Sequence, residues 1–331
     1  MELTLTILLF LIGIVLIVKG GDFFVDAAAW MAKASGIPQV IIGATIVSLA
    51  TTLPEMLVSV IAAVDGKVDM AVGNAVGSVT ANIGLIMALS LLFMPGIINR
   101  KDYVPKSILM FCSSLVIVAS GRVGSIDLFL SAVLMIFFVL FLIENIRSTQ
   151  RSINKNTAAL HAAENTATVS LPASKTDTEK SVVITNIIKF IAGTIGIVVG
   201  ANLLVNNGSE LARYIGISER IIGVTLVAVG TSLPELVTTI TAIVKKQSSL
   251  SIGNILGANI IDLTLILPIS MFCAGKPLPI AISSATLDFP ACLLVGCIAV
   301  IPMMITSRFK RWQGFALLAV YTIYLVLTCT A

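Results

Sequence analysis

The sequence predicts an all-α polytopic membrane protein whose ten transmembrane helices form two inverted five-helix repeats. Three observations carry that expectation. The 331 residues are 57% hydrophobic and 11% charged, with a mean hydropathy of +1.05, which leaves too little charge to cover a soluble domain. Apolar runs of about 20 residues match the thickness of a bilayer core. A shift of 180 residues lays one half of the chain over the other without a gap, and five spans per half is an odd number, so the second copy must cross in the opposite sense.

Polar punctuation places the spans near 4–29, 38–64, 69–94, 105–121, 124–146, 185–211, 219–244, 249–273, 279–303 and 312–330. The first is too long, and lacks the small-residue cleavage site, for a removed signal peptide. Lys33 separates it from the second span, Lys67 the second from the third, and Arg100, Lys101 and Lys106 the third from the fourth; Arg122 precedes the fifth. A polar segment, 147–184, containing TATVSLPASKTDTEK, reads as a flexible cytoplasmic linker, with His161 a solvated side chain. Residues 1–146 and 185–331 are then the two repeats. In the second, Arg213 and Arg220, Lys245 and Lys246, Lys276, and the group Arg308, Lys310 and Arg311 mark the successive loops.

Charge in these loops sets orientation. With the N-terminus outside, alternate loops hold fourteen Lys and Arg inside against five outside, while Lys19 and Lys189 fall within spans. Positive residues favour the cytoplasmic face, so both termini are expected outside an inner (plasma) membrane and the linker inside. The net charge of +4 is too small and too dispersed to suggest nucleic acid. Cys112, Cys273, Cys292, Cys297 and Cys329 lack metal-ligand spacing and read as small buried hydrophobes.

The duplication is specific because it matches rare residues. GATIVSLATTLPE (43–55) lies over GVTLVAVGTSLPE (223–235), and GNAVGSVTAN (73–82) over GNILGANIID (253–262); upstream, Gly13 lies over Gly193 and Gly20 over Gly200. Within a helix a proline lacks the N–H that bonds four residues back, so Pro54 is expected to free the Ala50 carbonyl and Pro234 that of Gly230. Irregular backbone at membrane depth is tolerated only where protein buries it or a cavity needs it. Helical spacing puts Ser48, Thr52 and Glu55 on one face, with Thr51 four residues before Glu55, and the second copy offers Ala228, Thr231, Ser232 and Glu235. The next span adds Ser78 and Asn82, corresponding to Ala258 and Asp262, beside GxxxG glycines that permit close helix contact.

Glu55, Glu235 and Asp262 therefore place three carboxylates at mid-span with no intramembrane cation matching them in sequence. Such groups mark an ion or proton pathway. An all-oxygen donor set favours Ca2+ or Na+ over softer metals. Asp22 and Asp26 are weaker pathway candidates, while Asp127, Glu144 and Asp288 are expected near span ends. No nucleophile–base pair or phosphate loop is apparent, so no enzyme and no cofactor is expected. A cation channel is disfavoured because the repetition lies within one chain, and a monomer can contain the entire pathway.

The paired segments TTLPE with GSVTAN and TSLPE with GANIID resemble the two alpha repeats of the sodium/calcium exchanger family, of the cation/calcium antiporter superfamily, over 43–90 and 223–270. The resemblance implies an alternating-access antiporter in which Ca2+ and Na+ compete for one central cluster. It makes Glu55 and Glu235 central Ca2+ ligands, helped by the carbonyls of Thr51 and Thr231. It assigns flanking Na+ positions to the carbonyls of Ser48 and Ala228 and the hydroxyls of Thr52, Ser232 and Ser78, with Asn82 and Asp262 completing the middle. Ala258 departs from the pattern by lacking the hydroxyl of Ser78, which leaves H+- or K+-coupled Ca2+ exchange as the alternative.

Overall fold

A computed structural model describes residues 2–97, 99–164, 176–216 and 230–330. Of the expectations above, Ala228, Arg220 and the 223–229 stretch of the second signature lie outside the described residues, as do the side chains of His161 and Cys329.

Helices dominate, as hydropathy demands. In chain order they are α1 (Glu2–Ser35), α2 (Gln39–Val64), α3 (Val68–Phe93), α4 (Arg100–Val123), α5 (Leu128–Glu164) and α6 (Thr176–Tyr214). After the undescribed stretch follow α7 (Leu233–Val244), α8 (Ser248–Ala274), α9 (Ser284–Thr306) and α10 (Arg311–Thr330). Among the described residues, eight helices are long and apolar enough to cross a membrane.

Two helices outrun the expected spans. α5 continues to Glu164 and α6 begins at Thr176, so both ends of the stretch read as a flexible linker are helical. The polar composition hid this, because Ala158, Ala159, Ala162, Ala163 and Glu164 are strong helix formers that need no apolar face to extend a helix already nucleated in the membrane.

α3 and α8 are the most buried spans, with 72% and 83% of their apolar windows enclosed, and they form the centre against which α2, α4 and α9 pack. The halves are stitched at both ends by two-residue antiparallel ribbons. One pairs β1 (Gly96–Ile97) with β4 (Arg308–Phe309), and the other pairs β2 (Ser125–Ile126) with β3 (Leu278–Pro279). Each ribbon joins loops that the charge count assigned to the same side.

α1 and α6 lie apart from this centre and run antiparallel along one another. Glycine makes the approach possible. A methyl group at Gly20 would stand 2.9 Å from the Gly193 carbonyl oxygen, and one at Gly193 would stand 2.7 Å from the Phe24 nitrogen. Gly13 meets Gly200 in the same crosswise manner, and Phe24 stacks on Phe190 with ring centroids 4.6 Å apart.

Two side chains correct the sequence reading. Lys106, counted as a loop residue, is completely buried inside α4, where its Nζ donates to the Asp102 carbonyl at 3.2 Å beside the charges of Asp102 and Glu144. The helix start at Arg100 carries the lysine one turn inward, and these acids compensate its burial. Cys273, read as buried, is exposed at the end of α8, where the chain leaves the packed core. Pro302 frees the Ile298 carbonyl within α9, and buried Gln313 of α10 donates Nε2 to that oxygen at 3.1 Å.

Gly193→Val should force backbone apart along the α1–α6 seam. Overpacking of this kind costs about 1–3 kcal/mol, so a thermal melt of the purified protein is expected to show an apparent Tm lowered by roughly 5 °C.

Candidate cation site

The site is built where broken or widened helical turns meet. Within α2, residues Gly43–Val47 form a π-helical turn just ahead of the SLATTLPE segment. In α3 the π turn starts at Asn82, and in α8 it starts at the corresponding Asp262. A π turn adds a residue to the helical circuit and loosens carbonyl pairing, a feature frequent at functional sites.

Helical spacing holds for the first copy. Ser48, Thr52, Thr51 and Glu55 are all buried on α2, and α3 adds buried Ser78 and Asn82. From the second half come buried Ser232, Glu235 and Asp262, with Thr231 half-buried. Gly257 seats α8 on α2, since a side chain there would strike Ser48 and Ala44.

The two proline motifs differ locally. Pro54 stands inside the continuous helix 48–64, as expected. Pro234 does not stand mid-helix: Thr231 and Ser232 form a turn, and Pro234 occupies the first turn of α7. This corrects the expectation of a kinked helix there, and the reason is that proline needs no intrahelical N–H partner in a first turn.

The carboxyl groups of Glu55, Glu235 and Asp262 lie within electrostatic reach of one another. Both oxygens of each are buried and none of the six makes a well-formed hydrogen bond among the described residues, although Thr51 and Glu55 lie beside the Glu235 carboxyl group. Asn82 Oδ1 and Ser232 Oγ are likewise buried and unpartnered. Burying one unpaired carboxylate costs several kcal/mol, and clustering three adds mutual repulsion. Lys106, the fully buried lysine, instead donates to the Asp102 carbonyl and lies in the field of Asp102 and Glu144. A set of unpartnered oxygens of this kind fits a hard cation, a proton, or both.

The Thr52 hydroxyl donates to the Ser48 carbonyl at 2.5 Å, and the single hydroxyl proton of Thr51 has both that carbonyl and Asn254 Oδ1 within reach, each at 3.3 Å. That leaves their lone pairs free to accept or to coordinate.

Two site residues escaped the sequence reading. Asn74 donates Nδ2 to the Glu55 carbonyl at 3.1 Å and to Ser59 Oγ at 2.9 Å, fixing α3 on α2 behind the carboxylate. Asn254, its counterpart in the second half, is fully buried and accepts from Thr51 Oγ1 at 3.3 Å, so it ties the two halves together. The signal was present, for both follow the first glycine of GNAVGS and GNILGA.

The family model described as "Sodium/calcium exchanger protein" matches residues 5–146 and 185–330. "Sodium/calcium exchanger MaX1" of Methanosarcina acetivorans is 29% identical over 358 aligned positions, covering 98% of each chain. "Inner membrane protein YrbG" of Escherichia coli is 31% identical over 297, covering 88% of this chain and 86% of that one. A solved structure of the sodium-calcium exchanger NCX_Mj soaked with Na+ and Sr2+ superposes with a TM-score of 0.78 at 27% identity, covering 98% of both chains.

Unpartnered carboxylates predict ligand-dependent stability. Millimolar Ca2+ added to the purified protein is expected to raise the apparent Tm saturably. Glu55→Gln should abolish most of the rise, while Asn74→Ala should weaken the apparent Ca2+ affinity about tenfold, the usual scale for a residue that orients a ligand.

Proposed function

The chain belongs to the sodium/calcium exchanger family, and from that premise we propose that it is a secondary active antiporter exchanging Ca2+ for Na+ across the membrane by alternating access. The observation that carries the reading is the cluster of Glu55, Glu235 and Asp262, buried, unpartnered and drawn from both halves of the chain.

Glu55 and Glu235 bind Ca2+ centrally, with the carbonyls of Thr51 and Thr231 beside them. Flanking Na+ ions use the carbonyls of Ser48 and Ala228 and the hydroxyls of Thr52, Ser232 and Ser78; Asn82 and Asp262 complete the middle. Charge counting supplies the coupling. Three ionised carboxylates are neutralised by three monovalent ions, whereas one Ca2+ leaves a single negative charge unless Asp262 takes up a proton. The same oxygens cannot serve both loads at once. Because an empty site is strongly charged and a loaded one nearly neutral, only loaded states cross the low-dielectric barrier cheaply.

The halves act as inverted repeats, 1–146 and 185–331, joined by 147–184. The crosswise contacts of Gly13 with Gly200 and of Gly20 with Gly193 support this, since a two-fold relation between copies makes contacts reciprocal. The antiparallel α1–α6 pair, apart from the centre, is the unit that slides to expose the site alternately. The termini face outward from the plasma membrane, with the lysine- and arginine-rich loops inside.

Ala258 favours a second reading, coupling to H+, since the hydroxyl that matches Ser78 is missing at this buried position.

Proteoliposomes loaded with Na+ are expected to take up Ca2+ when diluted into Na+-free medium, and Glu55→Gln should eliminate uptake. Uptake that ignores the Na+ gradient and follows a pH gradient would select the H+-coupled reading. Ala258→Ser restores one oxygen, worth about 1 kcal/mol or roughly fivefold in apparent Na+ affinity, measured as inhibition of Ca2+ uptake by external Na+.

A further inference from the structure

Asp22 and Asp26 have no place in the cation site. Both sit late in α1, one turn apart, and both meet Lys245 at the end of α7. The lysine Nζ lies 3.1 Å from Asp22 Oδ1 and 2.8 Å from Asp26 Oδ1, and donates to the Asp22 backbone carbonyl at 3.1 Å. One ammonium thus makes three contacts with a single face of α1.

What Lys245 stands on matters as much as what it touches. The turn after α7 is fixed to the body of the protein: Gln39 of α2 donates Nε2 to Gln247 Oε1, and the Gln247 backbone nitrogen donates to the Ala242 carbonyl at 2.7 Å. Lys246 takes a left-handed conformation, φ 57°, to make that turn, an uncommon choice for a residue with a side chain. The ammonium is therefore presented from the static body to the helix proposed to slide.

The same end of the molecule also carries apolar packing between α1 and the body. Phe24, Val25, Ala28 and Ala32 of α1 are buried against Ile42, Val47, Ala242 and Leu250.

The repeat shows that the device exists at one end only. Shifted by 180 residues, Lys245 corresponds to Asp65, and Asp22 and Asp26 to Asn202 and Asn206. Asp65 is exposed, and among the described residues it has no ion pair. Asn202 donates Nδ2 to the Val198 carbonyl of its own helix at 3.1 Å. A carboxylate facing two amides cannot reproduce an ammonium facing two carboxylates.

We propose that Lys245, Asp22 and Asp26 form a one-sided ionic latch that holds α1 to the body of the protein and biases the antiporter toward the state closed at the Lys245 end. The proposal rests on the alternating-access reading. Desolvation acts against the charged lysine, but the hydrogen bonds and charges of Asp26 and Asp22 outweigh it and raise the Lys245 pKa. The sign follows: the ammonium is held through neutral pH and is lost only as pH rises beyond its ordinary range. Partial exposure of all three side chains keeps the latch sensitive to ionic strength and limits its strength.

A bias between two states has a signature that loss of structure lacks. Apparent affinity at each face scales with the fraction of protein open to that face. Lys245→Met should therefore weaken apparent Ca2+ affinity at the face remote from the latch and strengthen it at the latch face, each about two- to fivefold. Both are read from initial rates in proteoliposomes with Ca2+ varied inside or outside. Lys245→Arg should restore the wild-type ratio, and Asp22→Asn with Asp26→Asn should reproduce Lys245→Met. Asp65→Lys combined with Asn202→Asp and Asn206→Asp, a mirror latch, should also move the ratio in the Lys245→Met direction. Equal changes at both faces, or none, would overturn the latch.

Amide hydrogen exchange separates that failure from failure of the transport reading. Residues 22–32 should exchange faster in Lys245→Met than in wild type whether or not Na+ drives Ca2+ uptake. Unchanged protection there would overturn the latch. Absence of cation-driven exchange in wild type would overturn the transport reading alone.

Discussion

Everything in this protein is arranged around three carboxylates held out of water without a protein partner. Glu55, Glu235 and Asp262 are buried to within 1% of full enclosure. Their oxygens make no well-formed hydrogen bond among the described residues. A fold cannot keep ionised carboxylates in low dielectric unless something neutralises them. The buried lysine Lys106 shows what a permanent solution looks like, for it is matched by Asp102 and Glu144 and held by a backbone carbonyl. At the central cluster no lysine or arginine plays that part among the described residues.

Backbone irregularity follows from the same constraint. π-helical turns begin at Asn82 and at Asp262, and another precedes the first proline motif. Elsewhere the fold repairs its defects: Gln313 takes the carbonyl that Pro302 releases. The two LPE motifs show how context divides identical residues. Pro54 is enclosed by a continuous helix, while the turn at Thr231 and Ser232 lets Pro234 open a new one. One sequence motif thus yields two local structures, and the two halves, though related, are not superimposable at the site.

That asymmetry extends to the support of the site. Asn74 holds the carbonyl of Glu55 within its own half, whereas Asn254 accepts from Thr51 across the halves. At the Lys245 end the second half contributes a lysine where the first has Asp65. The two segments that match in sequence thus differ at the contacts that join them.

The sequence by itself determined the apolar helices, the internal duplication and the positions of the three mid-span acids, because apolar runs, a 180-residue register and acids at mid-span are local facts that survive without coordinates. It also determined the helical face Ser48–Thr52–Glu55, since helical spacing is fixed by backbone geometry. Tertiary structure alone decided which polar groups find partners. Lys106 looked like a loop residue until α4 enclosed it, and Asp22 and Asp26 looked like weak pathway candidates until Lys245 arrived from 223 and 219 residues away. Asn74 and Asn254 were visible as letters but silent as to role. Burial and pairing depend on contacts between segments distant in the chain, and no local pattern encodes those distances.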